Sequence, residues 1–239
     1  LFERDVAEGA IDGDSAAPQL FDHIRYLAGV HPYGAPRYDD AVHARVAEAL
    51  DDPLCAGIGE IGLDYHFDAD DDIEAAPHDV QIRAFARQLE LACARNLPVE
   101  LHLRHEDADE GRASHADAYR VLEEAGVPEA GCVLHCFGED ADTALRFTDL
   151  GCHIAFGGAA TFSRNEEVRE AFAACPLDRI LFETDCPYMA PEPVRGLECE
   201  PAMICQTAAV LAADRAERTG ERVEDILTAA WVNAQGLLG

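Results

Sequence analysis

The sequence predicts an α/β protein built on a parallel β-sheet, of the (β/α)8 TIM-barrel kind, and three observations support this. Short apolar runs alternate with longer segments of helical periodicity, which is the pattern of βαβ units. The chain has 239 residues, and a closed eight-stranded barrel takes about 250. Six strands are visible, so the barrel is expected to lack its first two. With 49% apolar residues, we expect residues 1–239 to form one domain around one core.

Each element follows from a local pattern. Strands are predicted where short apolar runs are bounded by turn residues, at 27–30, 54–58, 97–101, 131–134, 152–156 and 179–182. Helices are predicted where apolar residues recur at spacings of three and four, at 39–50, 78–95, 114–125, 139–149, 165–174, 202–218 and 221–235. Residues 1–26 hold at most one further helix, near 18–26.

The charge balance is strongly acidic. There are 47 acidic and 18 basic residues, the net charge is −29, and every basic residue is an arginine. Because the acidic residues are spread through the chain, they predict a salt-adapted (halophilic) host, where repulsion is screened, rather than a disordered acidic tail. The lack of lysine excludes Schiff-base chemistry, a P-loop lysine and a carboxylated lysine that bridges two metals.

Cysteine usage and the absence of long apolar stretches predict a cytoplasmic protein. The nine cysteines are odd in number and form no CxxC pair, which favours reduced thiols over disulfides. No stretch of eighteen apolar residues occurs, so no membrane association is expected. The first residues show no secretory signal.

Polar side chains follow four of the predicted strands. Glu60, His102, His135 and Asp185 come at or just after the ends of apolar runs, and the carboxyl ends of barrel strands form one rim where active sites lie. A single histidine at a strand end is usually a hydrogen-bonded structural residue. Four such residues together indicate a divalent metal site, and two imidazoles with two carboxylates suit zinc, manganese or nickel, or also magnesium.

A set of motifs in the same order resembles the TatD family of metal-dependent hydrolases. The stretches are GVHP (29–32), GEIGLDY (59–65), LHLR (101–104), LHCFG (134–138), GGAATFSRN (157–165), ETDCPYMAP (183–191) and RGLECEP (195–201). The resemblance implies a TIM barrel of the amidohydrolase type with one or two divalent ions (Mg²⁺, Mn²⁺ or Zn²⁺). It also implies a deoxyribonuclease, which acts on single-stranded DNA or strand ends.

The resemblance also implies residue roles. Glu60 would bridge two metals, His102 and His135 would bind the second metal, and Asp185 would bind the first metal and accept a proton from the attacking water. Arg104 and Arg195 are candidate substrate-binding residues, each with a structural alternative as a salt-bridge partner or loop anchor. His31 is expected to line the pocket or fix a loop.

The sequence departs from the family pattern at its start. The family begins with a strand that carries a His-x-His pair, and the chain contains no such pair. We therefore expect a piece of a longer protein, or else a natural truncation with an impaired first metal site. Two alternatives to the nuclease stay open: a hydrolase of a small ester, amide or lactone, and a non-catalytic fragment. The charge of −29 disfavours tight binding to a DNA duplex, because such binding normally uses a basic surface.

Overall fold

The computed structural model describes residues 24–66 and 75–238. Within these ranges, six parallel strands lie in chain order and curl into a half-barrel. The strands are β1 (Tyr26–Leu27), β2 (Cys55–Asp64), β3 (Val99–Arg104), β4 (Cys132–Leu134), β5 (His153–Phe156) and β6 (Ile180–Phe182). The predicted parallel α/β fold with six strands is therefore confirmed.

In the described part of the chain, seven α-helices surround the sheet. They are α1 (Asp40–Ala49), α2 (His78–Arg95), α3 (Ala113–Ala125), α4 (Ala141–Asp149), α5 (Glu166–Ala174), α6 (Ile204–Thr219) and α7 (Val223–Leu238). All seven agree with the periodicity in the sequence to within about three residues at either end, as expected for helix ends. The helix suggested near 18–26 lies mostly outside the described residues, and Tyr26 begins β1 instead.

Two central strands are longer than the apolar runs that predicted them. β2 continues through Glu60 to Asp64, and β3 continues through His102 to Arg104. Successive side chains of a strand face opposite sides of the sheet, so a strand can carry polar residues on its inner face and remain a strand. The apolar run therefore ended before the strand did, and the prediction that Glu60 and His102 follow their strands was wrong.

A β-bulge lies where β2 passes β3. Ile58 pairs with Val99 and Ile61 pairs with Leu101, so Gly59 and Glu60 together stand opposite a single residue of β3. An extra residue of this kind breaks the alternation and re-aims a side chain, and such bulges are common beside active sites. Here it directs Glu60 towards the side chains of β3 and β4.

The core lies between the outer face of the sheet and the helices. Its fully buried side chains include Phe85 and Leu89 of α2 and Ile58 and Leu101 of the strands. Burying each such side chain contributes about 1.5–3 kcal/mol, so this layer holds the strand ends in fixed positions.

Of the helices in the described ranges, none combines the length and apolar character that crossing a bilayer requires.

Candidate metal centre

Three of the predicted ligands meet at the bulge between β2, β3 and β4. Oε2 of Glu60 lies 3.7 Å from Nδ1 of His102 and 3.6 Å from Nε2 of His135. The same two ring nitrogens are 3.2 Å apart. The carboxylate and both imidazoles thus point at one small volume from three neighbouring strands.

These separations fit a bound metal ion. Zinc binds histidine nitrogen and carboxylate oxygen at about 2.1 Å, which places tetrahedral donor atoms about 3.4 Å apart. The three measured separations of 3.2, 3.6 and 3.7 Å bracket that value. The donor set of Glu60, His102 and His135 can therefore hold a divalent ion with little movement.

A buried carboxylate orients His102. Oδ2 of Asp64 lies 3.0 Å from Nε2 of His102, and Asp64 is 1% exposed. Since a carboxylate only accepts, Nε2–H donates, and the lone pair of Nδ1 faces Glu60 and His135. Burial acts to raise the pKa of Asp64, but hydrogen bonds from His102, the His66 amide and Tyr33 outweigh it and hold that pKa below its usual value. Support of this kind raises the basicity of a metal-binding histidine.

Two further carboxylates lie against the site and were missed from the sequence. Glu100 shares a donor cluster with Glu60 and His135, their atoms within 4.8 Å of one another. Burial raises the pKa of Glu100 to about 7, and the charges of Glu60 and Asp185 act in the same direction. Burial likewise raises the pKa of Glu183 to about 8, against a hydrogen bond from the Cys136 amide. Crowded carboxylates disfavour one another's ionised form, so a cation there would relieve the repulsion.

A strand-level signal could have found Glu100. Glu100, His102 and Arg104 alternate along β3, so their side chains share the inner face, while Leu101 and Leu103 share the outer face. Glu183 and Asp185 are also two residues apart, but both follow the end of β6, so strand alternation does not place them. Polar residues at every second position of a predicted strand therefore identify inner-face residues better than the position where the apolar run ends.

Asp185 is close to the cluster without joining it. Its charge acts on His135, Glu100 and Glu183. Among the described residues, however, the candidate donor sets whose atoms all lie within 4.8 Å do not include Asp185. The reason is geometric, because Asp185 follows β6, two strands round the half-barrel from β4. The structure thus brings three of the four predicted residues into mutual contact and leaves the fourth beside them.

His31 fixes the loop after β1. Its Nδ1 accepts a hydrogen bond from the Tyr33 amide at 3.2 Å, so in the neutral ring Nε2 carries the proton. That N–H lies 3.9 Å from Oε2 of Glu60, and the ring packs edge-on against His102 at 4.5 Å. Burial lowers the pKa of His31 to about 4, and the charge of His102 adds to the effect. His31 lines the pocket, and it also belongs to a candidate donor set with Glu60 and His102, whose donor atoms lie within 4.8 Å of one another.

The two candidate arginines occupy different places. Arg104 lies on the inner face of β3, and its charge acts to lower the pKa of the Cys136 thiol, which burial raises overall. Arg195 is exposed and stacks over the ring of Phe162 at 4.1 Å. The structure therefore places Arg104 on the same strand face as His102, and it places Arg195 in the segment after β6, against Phe162 of the segment after β5.

The fold and this site together define a class: parallel α/β half-barrels with histidine and carboxylate donors on the inner faces of neighbouring strands, as in metal-dependent hydrolases of the TIM-barrel type. The family model described as TatD related DNase matches residues 14–239. The chain belongs to the TatD family.

Individual relatives agree with this assignment. The chain is 36% identical over 191 residues to YcfH of Escherichia coli K12, named as an uncharacterized metal-dependent hydrolase; the match covers 80% of this chain and 66% of that protein. It is 34% identical to YabD of Bacillus subtilis, named in the same way, over 87% of this chain and 76% of the relative. A protein of Pantoea vagans named 3′-5′ ssDNA/RNA exonuclease TatD is 31% identical over 88% of this chain and 76% of its own length.

Solved structures resemble the fold closely. The crystal structure of YJJV, a TatD homologue from Escherichia coli K12, superposes with a TM-score of 0.73 at 28% identity and covers 90% of this chain and 76% of that one. A TatD family hydrolase from Entamoeba histolytica gives 0.70 at 19% identity over 90% and 74%, which shows the shared fold alone. The chain spans about two thirds of the length of YcfH.

Proposed function

We propose that this chain carries the active site of a divalent-metal-dependent hydrolase that cleaves phosphodiester bonds in DNA. The observation that carries the proposal is the convergence of Glu60, His102 and His135, whose donor atoms lie 3.2 to 3.7 Å apart. Membership of the TatD family supports the same reaction class.

The residues of the chain have distinct proposed roles. A divalent ion held by Glu60, His102 and His135 would supply Lewis-acid activation of water and of the substrate phosphate. Asp185, whose charge reaches the cluster, would accept the proton of the attacking water. Arg104, on the same face of β3 as His102, would bind a phosphate oxygen pair through its planar guanidinium.

The substrate we propose is single-stranded DNA or the end of a strand. The support is the name of the Pantoea vagans relative, an exonuclease on single-stranded DNA and RNA. A net charge of −29 denies the protein a basic surface for duplex DNA. Contact with a few phosphates through the metal and a local arginine fits a strand end better.

The cellular setting is proposed from composition. Nine free thiols suit the reducing cytoplasm, and the distributed acidic charge suits a cytoplasm of high salt. Membrane association has no support in the described helices.

The test is a cleavage assay on the purified chain. Single-stranded DNA labelled at either end is incubated with Mg²⁺ or Mn²⁺, with and without a chelator. Glu60→Gln and Asp185→Asn are compared with Glu48→Gln, which changes an exposed carboxylate on α1. We expect metal-dependent cleavage in the protein and in Glu48→Gln, and a loss of about 10²-fold or more in the two site variants.

Other outcomes would overturn the proposal. Cleavage of small esters or lactones with intact DNA would assign a small-molecule substrate instead. Absence of any chelator-sensitive cleavage, together with no tightly bound metal, would identify a non-catalytic piece of a longer protein. Cleavage that Glu60→Gln leaves unchanged would remove the cluster from the mechanism.

A further inference from the structure

We propose that His105, His115 and Glu139 form a second metal site, separate from the cluster around Glu60. His105 directly follows β3, His115 lies in the first turn of α3, and Glu139 lies in the loop between β4 and α4. The three residues are distant in sequence, and the fold brings them together just outside the carboxyl ends of β3 and β4. This site shares no residue with the first, so it stands or falls independently of the proposed activity.

The donor geometry resembles a three-ligand metal site. One oxygen of Glu139, Oε1, lies 3.3 Å from Nδ1 of His105 and 3.8 Å from Nε2 of His115. All three donor atoms lie within 4.8 Å of one another. Donors at about 2.1 Å from one ion stand about 3.4 Å apart in tetrahedral geometry, so both measured separations are within about half an ångström of that value.

Neighbouring groups hold two of the ligands in the required state. The Ser114 hydroxyl lies 3.3 Å from Nδ1 of His115. Its oxygen can accept a hydrogen bond from Nδ1–H, which leaves the lone pair of Nε2 towards Glu139. Arg112 donates from Nε to Oε2 of Glu139. This bond fixes the carboxylate and keeps Oε1 for the two histidines. Partners of this kind are what orient the ligands of real metal sites.

A hydrogen-bond network alone does not account for the arrangement. Nδ1 of His105 lies 3.3 Å from Oε1 of Glu139, and Nε2 of His115 lies 3.8 Å from that oxygen, which is beyond hydrogen-bond distance. His115 is 6% exposed, and a buried imidazole aimed at a carboxylate without bonding it leaves room for an ion between them.

The site is open to solvent and acidic. It borders a cavity of about 360 Å³ lined by His105, Arg112, Glu139, Asp107, Asp109, Glu110 and Glu167. Arg112 pairs with Glu139, Asp140 and Glu167, so one guanidinium faces several carboxylates and the local charge stays negative. A negative, partly enclosed cavity concentrates cations.

The ligand set selects the class of metal. Two imidazoles and one carboxylate favour Zn²⁺ and the neighbouring first-row ions Co²⁺ and Ni²⁺ over Mg²⁺, which prefers oxygen ligands and water. Three protein ligands with access from a cavity leave a fourth coordination position for water.

The test counts bound cobalt rather than activity. The full chain is stripped with a chelator and titrated with Co²⁺, with equilibrium dialysis for stoichiometry and the visible ligand-field spectrum for geometry. His105→Ala is the main variant because His105 is partly exposed. His115→Gln is the second, and circular dichroism reports whether it folds. His43→Ala, which changes a histidine of α1 that is hydrogen-bonded to Tyr38, is the matched control.

We expect His43→Ala to bind as much Co²⁺ as the unchanged protein. We expect His105→Ala to lose about one equivalent, or to bind it at least about 10²-fold more weakly. His135→Ala, which disables the first cluster, should keep the ion at His105, and the double variant His105→Ala/His135→Ala should lose both. Equal stoichiometry and equal affinity in His105→Ala and the unchanged protein would overturn the proposal, as would loss of all binding in His135→Ala alone.

Discussion

Nε2 of His102 lies 3.0 Å from Oδ2 of Asp64, a carboxylate at the end of β2 that is 1% exposed. The bond sets which ring nitrogen of His102 carries the proton and aims the other nitrogen at Glu60 and His135. Asp64 would not itself bind the metal, but its buried carboxylate orients His102, which would.

Asp64→Asn tests this relationship. The amide oxygen can still accept from His102, but the negative charge is lost, so we expect metal affinity to fall about 10–100-fold with the fold retained. Isothermal titration with Zn²⁺ or Mn²⁺ measures the change. Asp79→Asn, which alters an exposed carboxylate paired with Arg83 on α2, serves as the control. Unchanged affinity in Asp64→Asn would show that the bond does not support the site.

Metal binding should raise thermal stability. A ligand at a hundred times its dissociation constant adds about 2.7 kcal/mol to the folded state, which corresponds to roughly 5–11 °C in Tm for a chain of this size. Scanning calorimetry with Mn²⁺ or Zn²⁺ against chelator measures the shift. Glu60→Gln removes one of three close donors, so its shift should be smaller. An equal shift in that variant would place the stabilising ion elsewhere.

Gly62→Ala should damage both stability and metal binding. Gly62 has a φ of +135°, and a Cβ there would stand 2.2 Å from the backbone oxygen of His102. We expect a loss of about 2–4 kcal/mol in the free energy of unfolding, measured by urea denaturation, and weaker metal binding because β3 must shift.

Gly126→Ala is the matched control for that substitution. Gly126 also has a positive φ, +87°, but nothing lies within 4 Å of its added Cβ. Its cost should be limited to the backbone strain of about 1–2 kcal/mol. Equal losses in the two variants would show that the approach to His102 is not what requires glycine at 62.

The stability of the metal-free protein should fall as pH rises. Burial raises the pKa of Glu183 to about 8, and the unfolded chain has about 4.3. Between these pH values the folded state holds a proton that the unfolded state releases. The contribution of Glu183 to the free energy of unfolding is therefore fully present below about pH 4.3 and is lost as the pH rises to about 8. Urea denaturation at pH 5 and pH 8 in chelator measures it.

Glu183→Gln should lessen that dependence, because glutamine is neutral at both pH values, while Glu100, whose pKa burial raises to about 7, keeps part of it. Glu123→Gln, at an exposed position of α3, should keep the dependence of the unchanged protein. If Glu183→Gln shows the same decline as the unchanged protein, the decline arises from other groups.

Salt should stabilise the fold. At a net charge of −29, the acidic side chains of the folded protein repel one another. Raising KCl from about 0.1 M to 1 M shortens the Debye length from about 10 Å to 3 Å and so screens this repulsion. We expect Tm to rise over this range in calorimetry. A Tm that stays constant or falls would contradict adaptation to high salt.

The sequence by itself determined the class of fold and most of its elements. Apolar periodicity is a local property, so 78–95 could be predicted as a helix from its own residues, and α2 has those bounds. The apolar runs of the strands were equally visible in the sequence. The motifs that resemble the family contain Glu60, His102 and His135, so these residues could be predicted without the structure.

Tertiary structure decided how those residues meet. The bulge that turns Glu60 inward depends on the pairing of β2 with β3, and the state of His102 depends on Asp64, thirty-eight residues away. Glu100 joins the site, Asp185 stays beside it, and His105 meets His115 and Glu139. Such contacts are set by packing between distant segments, and the spacing of residues along a chain does not encode which inner-face side chains will share a volume.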